Sequence, residues 1–209
     1  MPTIDTRIFA GMCSPGMRPL ALTQLFRLWL THHFEAVGRL ENDDPSGPIA
    51  RMVWQPNPAT GIAIVPNWAW QPDLTERRPA VVIVRNDLER ARLGINDKMQ
   101  GMVGGTGDDR YENMWTGSHT LNCIGGDGAE AELLAAEVGR EINQFAPVVR
   151  VALDLLRITV KTLGQVAQLP DSRVNWVVPI AVTYAYTERW VVRQQSPPLA
   201  AGTGTFSFS

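Results

Sequence analysis

The chain has 209 residues, enough for one large domain or two small ones. Lys and Arg number 19 against 21 Asp and Glu, a formal net charge of −2 with a pI near 5.9. That balance excludes a protein that grips nucleic acid through global basic charge. Hydrophobic residues make up 44%, which rules out a disordered chain, yet only 19% are charged against roughly 25% in an ordinary soluble domain. A surface with too few charges is the first feature to explain.

Other classes fall away on local patterns. The longest apolar runs, such as Ala80–Val84, are far short of the roughly 20 residues that span a bilayer, so no membrane partner is expected. Asp5 and Arg7 interrupt the N-terminus where a secretory signal needs a clean apolar stretch. Cys13 and Cys123 lack metal-ligand spacing and read as reduced thiols of a cytosolic product.

In chain order, residues 1–19 hold Gly11, Pro15, Gly16 and Pro19 and read as an irregular N-terminal arm. Leu22, Leu25, Phe26, Trp29, Phe34 and Val37 then recur at three- and four-residue spacing. That period predicts an amphipathic helix, with Thr23 as candidate N-cap and Gly38 as its stop. Residues 41–79 carry seven prolines together with Trp54, Trp68 and Trp70. Within them, Arg51–Gln55 and Gly61–Pro66 read as the two arms of a hairpin insertion. Ala80–Val84 is a β-branched run suited to a strand buried on both faces. Residues 95–112, with four glycines and no apolar period, read as a long flexible loop.

Strand character resumes at Tyr111–Ile124, with Trp115, Gly117, His119, Leu121 and Cys123 on one face. Thr116, Ser118, Thr120 and Asn122 take the other. Asp127 and Glu130 form a capping-box pattern after Gly125–Gly126. Ala131, Leu134, Ala135, Val138, Ile142 and Phe145 make the helical stripe that follows, with Pro147 as its expected end. Val148–Leu156 reads as a second short helix, Arg157–Leu163 as a strand and Val174–Val192 as a long strand. In the long strand Pro179 cannot donate to a ladder, which predicts an edge position or a bulge. Residues 196–209 form a C-terminal arm in which Phe206 and Phe208 alternate with serine. The order predicts a single α+β domain over 20–195, its two main helices laid on a mostly antiparallel sheet.

No constellation of catalytic type emerges. His32 and His33 are adjacent, so on a helix they point about 100° apart and do not converge on one ion. Ser118 and His119 are strand neighbours facing opposite sides, which bars a nucleophile–base pair. Cys123 lies on the apolar face and reads as an inert thiol. Gly125-Gly126-Asp127-Gly128 lacks the lysine of a phosphate cradle and leads into Glu130 and Glu132. No metal, cofactor or catalytic residue is expected. Charge is polarised, however: Asp127–Glu141 holds five acids and one base, while the chain from Arg150 onward holds six bases and three acids. Copies packed head-to-tail have a use for that polarity, although a solvated acidic helix face explains it as well.

The strand Trp115–Ile124, the capped helix Ala129–Phe145, the segment Pro147–Arg150 and the closing strand Val177–Trp190 together resemble the neck and tail-completion proteins of tailed bacteriophages, nearest the tail terminators. The likeness covers roughly residues 80–192 and rests on element order. It implies a structural virion protein, made in the host cytoplasm, forming a homo-oligomeric ring, a hexamer, between the tail tube protein and the head-side connector or stopper. It also implies a lumen through which DNA passes without specific binding. On this resemblance, Asp97, Lys98, Asp108, Asp109 and Arg110 would lie in a lumen or inter-ring loop, their charges near balance. Trp54, Trp68 and Trp70, with Phe206 and Phe208 of the arm, are the other candidate interface residues. A connector or stopper ring is the alternative. An accessory binding module built on the three tryptophans, or a small enzyme using Asp108 and Asp109, are the readings from other classes.

Overall fold

In the computed structural model, which describes residues 18–37, 52–54, 61–70, 79–91, 98–100, 109–169, 172 and 174–192, the alternation at 115–124 becomes the inner strand of a seven-stranded sheet. Helix α1 is Arg18–Val37, followed by strand β1, Ala63–Pro66, and a 3-10 turn at Asn67–Ala69. Strands β2 (Ala80–Ala91), β3 (Lys98–Gln100) and β4 (Asp109–Gly125) lead into helix α2, Gly128–Ala152. Strands β5 (Leu155–Leu163), β6 (Ala167–Gln168) and β7 (Trp176–Val192) complete the described chain.

The strand order is β1-β2-β4-β7-β5, with β3 added to β4 and β6 to β7. Among the described residues, only β1 and β2 run parallel; every other pair is antiparallel. The fold is therefore α+β, with two main helices on a mostly antiparallel sheet, as the element order predicts.

Both helices pack on one face. Leu121 and Cys123 of β4, Ile83 of β2 and Val178, Ile180 and Val182 of β7 share one core with Leu22, Phe26 and Phe34 of α1 and Leu134, Val138 and Ile142 of α2. Each such side chain contributes about 1.5–3 kcal/mol on burial, so this layer is the main source of stability. The opposite face carries a smaller cluster, Ala63, Ala80, Val82 and Ile124, against which Val65, Trp70 and Val177 pack. Beyond it lie half-buried Thr116, Ser118, Thr120, Asn122, Thr183 and Thr187, with Glu89 and Arg157 in register on either side of the Thr116–Ala185 row. Asn86 Nδ2 ties two of these hydroxyls, donating to Ser118 Oγ at 3.0 Å and Thr120 Oγ1 at 2.9 Å.

The start of α2 follows its predicted cap. Asp127 Oδ1 accepts from the Glu130 amide at 2.7 Å, and Glu130 Oε2 accepts from the Gly126 amide at 2.6 Å. A Cβ built on Gly125 would come within 2.7 Å of the Ala131 backbone nitrogen, so only glycine fits this close strand-to-helix turn. Replacing the cap, Asp127→Ala, is expected to cost about 1 kcal/mol in a denaturant titration, with the fold retained.

Several expectations are corrected. Pro147 lies inside α2 and does not end it, and residues 148–152 continue the same helix. Pro147 is on the exposed face, where the carbonyl it leaves unbonded can be hydrated, while buried Val149 extends the apolar stripe. Thr23 is an interior residue of α1, which starts at Arg18. The predicted hairpin of 51–55 with 61–66 forms no strand ladder among the described residues. One bond, Ile62 N–H to the Val53 carbonyl at 3.3 Å, joins the two, and β1 pairs with β2 instead. Within the predicted loop 95–112, Lys98–Gln100 and the residues from Asp109 are strand. Pro179 pairs with β4 without a bulge, and on its other side it occupies a local edge in an otherwise inner strand. It falls where β5 has ended and β6 has not begun, and its carbonyl accepts from Gly164 N–H at 2.7 Å.

Candidate functional site

Two polar clusters lie in or beside the main core. The first joins α1 to β4. Thr23 Oγ1 donates to the Pro19 carbonyl at 3.1 Å and lies 2.8 Å from His119 Nε2. A hydroxyl has one proton, and it is committed to Pro19, so His119 Nε2 carries the hydrogen and donates to Thr23. His119 Nδ1 is left as a bare acceptor with no partner among the described residues. Phe26 packs edge-on against the imidazole at 5.4 Å and Tyr184 lies at 5.5 Å. Burial, reinforced by the nearby Arg85 charge, lowers the His119 pKa to about 4.

A hydroxyl 2.8 Å from an imidazole has the geometry of a nucleophile and its base. Both residues are sealed in the core, however, and the ring nitrogen that a carboxylate would orient faces none. The pair fastens α1 to the sheet. Burial also pushes the Cys123 thiol well up, which keeps it protonated and unreactive.

The second cluster joins the two helices. His33 Nε2 lies 2.9 Å from Glu137 Oε1, and His33 Nδ1 lies 3.2 Å from Glu141 Oε2. A neutral imidazole has one N–H and serves one carboxylate; the cation serves both. Trp29 Nε1 donates to Glu141 Oε1 at 2.8 Å, and Arg140 bonds Glu137. The His33 hydrogen bond, with help from Arg140, holds the Glu137 carboxyl below its usual range against the opposing effect of partial burial. The carboxylates approach opposite edges of the ring and do not converge on one point. Among the described residues, no group of three or more His, Cys, Asp or Glu side chains is arranged to hold a metal ion. His32, one residue earlier, is exposed and reaches Glu35 at 3.8 Å, so the adjacent histidines do part company as their helical spacing requires.

These bonds also dismantle most of the acidic helix face. Asp127 and Glu130 close the cap, while Glu137 and Glu141 bind α1; Glu132 remains exposed.

The sequence-predicted interface residues are scattered. Trp54 packs on the main core, Trp70 on the cluster across the sheet, and Trp68 stands 64% exposed in the 3-10 turn. The three tryptophans do not form one platform. The backbone places Lys98 in β3 and Asp109 and Arg110 at the start of β4, so part of the charged loop is a strand ribbon. Asp97, Asp108, Phe206 and Phe208 lie outside the described residues, as do the two arms apart from the start of α1.

Exposed apolar side chains were missed by the sequence reading, and they are sorted by position in the sheet. Leu20, Leu28 and Trp68 belong to α1 and the turn after β1, elements at one margin. Val148, Val151, Leu156 and Leu163 belong to α2 and β5, at the other margin, while Val174 and Trp176 lie at the start of β7, an inner strand. No protein-family model matches the chain, and no curated protein matches it. No helix among the described residues is long and apolar enough to cross a membrane.

Proposed function

We propose that this chain is a structural virion subunit, a tail terminator that forms a hexameric ring at the head-proximal end of a phage tail and joins tail tube to neck. The observation that carries the reading is the set of large apolar side chains left exposed on the outer elements of a chain with few charges. A subunit of a closed ring touches two neighbours with two different surfaces, and each neighbour covers what would otherwise stay wet. The chemistry-bearing side chains support the same view, because His33, His119, Glu137 and Glu141 are spent on holding the helices in place.

Tails lacking their terminator provide the test. Purified protein is expected to bind them and restore joining to filled heads. Protein that leaves such tails unchanged contradicts the reading. Binding to heads in preference to tails would assign the chain to the connector or stopper ring.

A further inference from the structure

The α2–β5 unit exposes apolar side chains at both of its ends. A Cβ built on Gly128, the first residue of α2, would lie 3.3 Å from Val166 Cγ1 and 4.0 Å from Trp176 Cε3. The start of α2 therefore adjoins the start of β7, where Val174 and Trp176 are exposed. Leu163, also exposed, pairs opposite Ile180 four residues along β7. At the other end, α2 finishes beside the start of β5, and Val148, Leu156 and 77%-exposed Val151 lie there. Twenty-five helical residues separate the two ends by roughly 37 Å.

The charges around these ends are opposite. The first end exposes Asp127 and Glu132; the second exposes Arg150 and Arg157. Asp154 at the second end, and Lys161 two residues from Leu163 at the first, reduce these excesses without reversing the sign of either. A contact in which each end meets the same end of another copy would place like charges together. Two unlike patches of opposite sign on one molecule suit a contact in which the first end of one copy meets the second end of the next.

We infer that copies of this chain join head-to-tail through these patches, Leu163, Val174 and Trp176 of one copy against Val148, Val151 and Leu156 of another, with Asp127 and Glu132 facing Arg150 and Arg157. The inference rests on the ring reading for its occupant, a second copy, and adds the surfaces used.

Sedimentation velocity on the full chain tests it with two double variants, Val148→Gln/Val151→Gln and Leu163→Gln/Val174→Gln. All four positions are exposed, so folding is expected to stay intact, which circular dichroism checks. The unaltered protein is expected to associate with rising concentration, and less so at high salt. Each variant alone is expected to stay monomeric. An equimolar mixture of the two is expected to stop at dimers, because each supplies the one good end the other lacks. Variants that associate like the unaltered protein, an unaltered protein that stays monomeric, or a mixture that stays monomeric would each overturn this contact. Joining of tails to heads is read in a separate assay, so a contact that fails there leaves the tail-terminator reading to stand or fall by itself.

Discussion

Folding stability is expected to drop by about 3 kcal/mol as pH falls from 6.5 to 4, and most of that drop is expected to be absent in His119→Gln. His119 binds its proton near pH 6.5 in the unfolded chain but only near 4 in the core, so between those values the unfolded state holds more protons and gains on the folded one. The cause is local. Protonation would place a charge among Phe26, Tyr184 and the nearby Arg85, with no carboxylate at Nδ1 to receive it. Glu137 acts in a lower window. Its carboxyl is held below the usual range, so its contribution is complete above the unfolded value and is lost as pH falls through the folded one. Glutamine keeps an N–H for Thr23 and does not titrate, so the difference between the two proteins isolates the histidine. Urea titrations at both pH values measure it, and an equal loss in both proteins would contradict the assignment.

Phe26→Ala is expected to cost about 3–5 kcal/mol, a large share of the 5–15 kcal/mol that holds an ordinary domain together. Phe26 is fully buried and lies between Trp29, at 6.4 Å, and His119, at 5.4 Å. Removing its ring opens a cavity where α1 meets the sheet and strips one wall from the His119 site. Leu28→Ala, on the exposed side of the same helix, is the control and is expected to change stability by less than about 0.5 kcal/mol. A shift in the denaturation midpoint with unchanged slope reads both. A loss below about 1 kcal/mol for Phe26→Ala would mean that α1 is not an integral layer of this fold.

What the sequence made legible was local. The two-residue alternation at 115–124 and the cap at Asp127 depend on neighbours within a few positions, and both stand in the structure. Errors arose where a distant partner decides. Nothing within 51–66 announces that Ala63–Pro66 will pair in parallel with Ala80–Ile83, so a hairpin was the natural local reading. Pro147 has the chemistry of a helix stop, but Val149 and Leu153 are held by the core beyond it. Thr23 resembled a cap because its real partner, His119, lies 96 positions away. The His33 cluster carried a faint signal: Trp29 and His33 share one helix face, and Glu137 and Glu141 share another at the same spacing. That these faces meet is a tertiary fact. The exposed margins were equally hidden, since which leucines and valines remain outside depends on where the sheet ends.

The opening deficit of charge now has a physical location. Surface that a soluble monomer would cover with Lys and Glu holds threonines on the open sheet face and apolar groups on the outer elements. The most direct test of the ring is to count copies of the protein at the end of a tail tube, by mass measurement of the purified complex together with microscopy of the tube ends. A closed hexamer at one end only is expected. Copies scattered along the tube wall, or a single copy bound at the end, would contradict it.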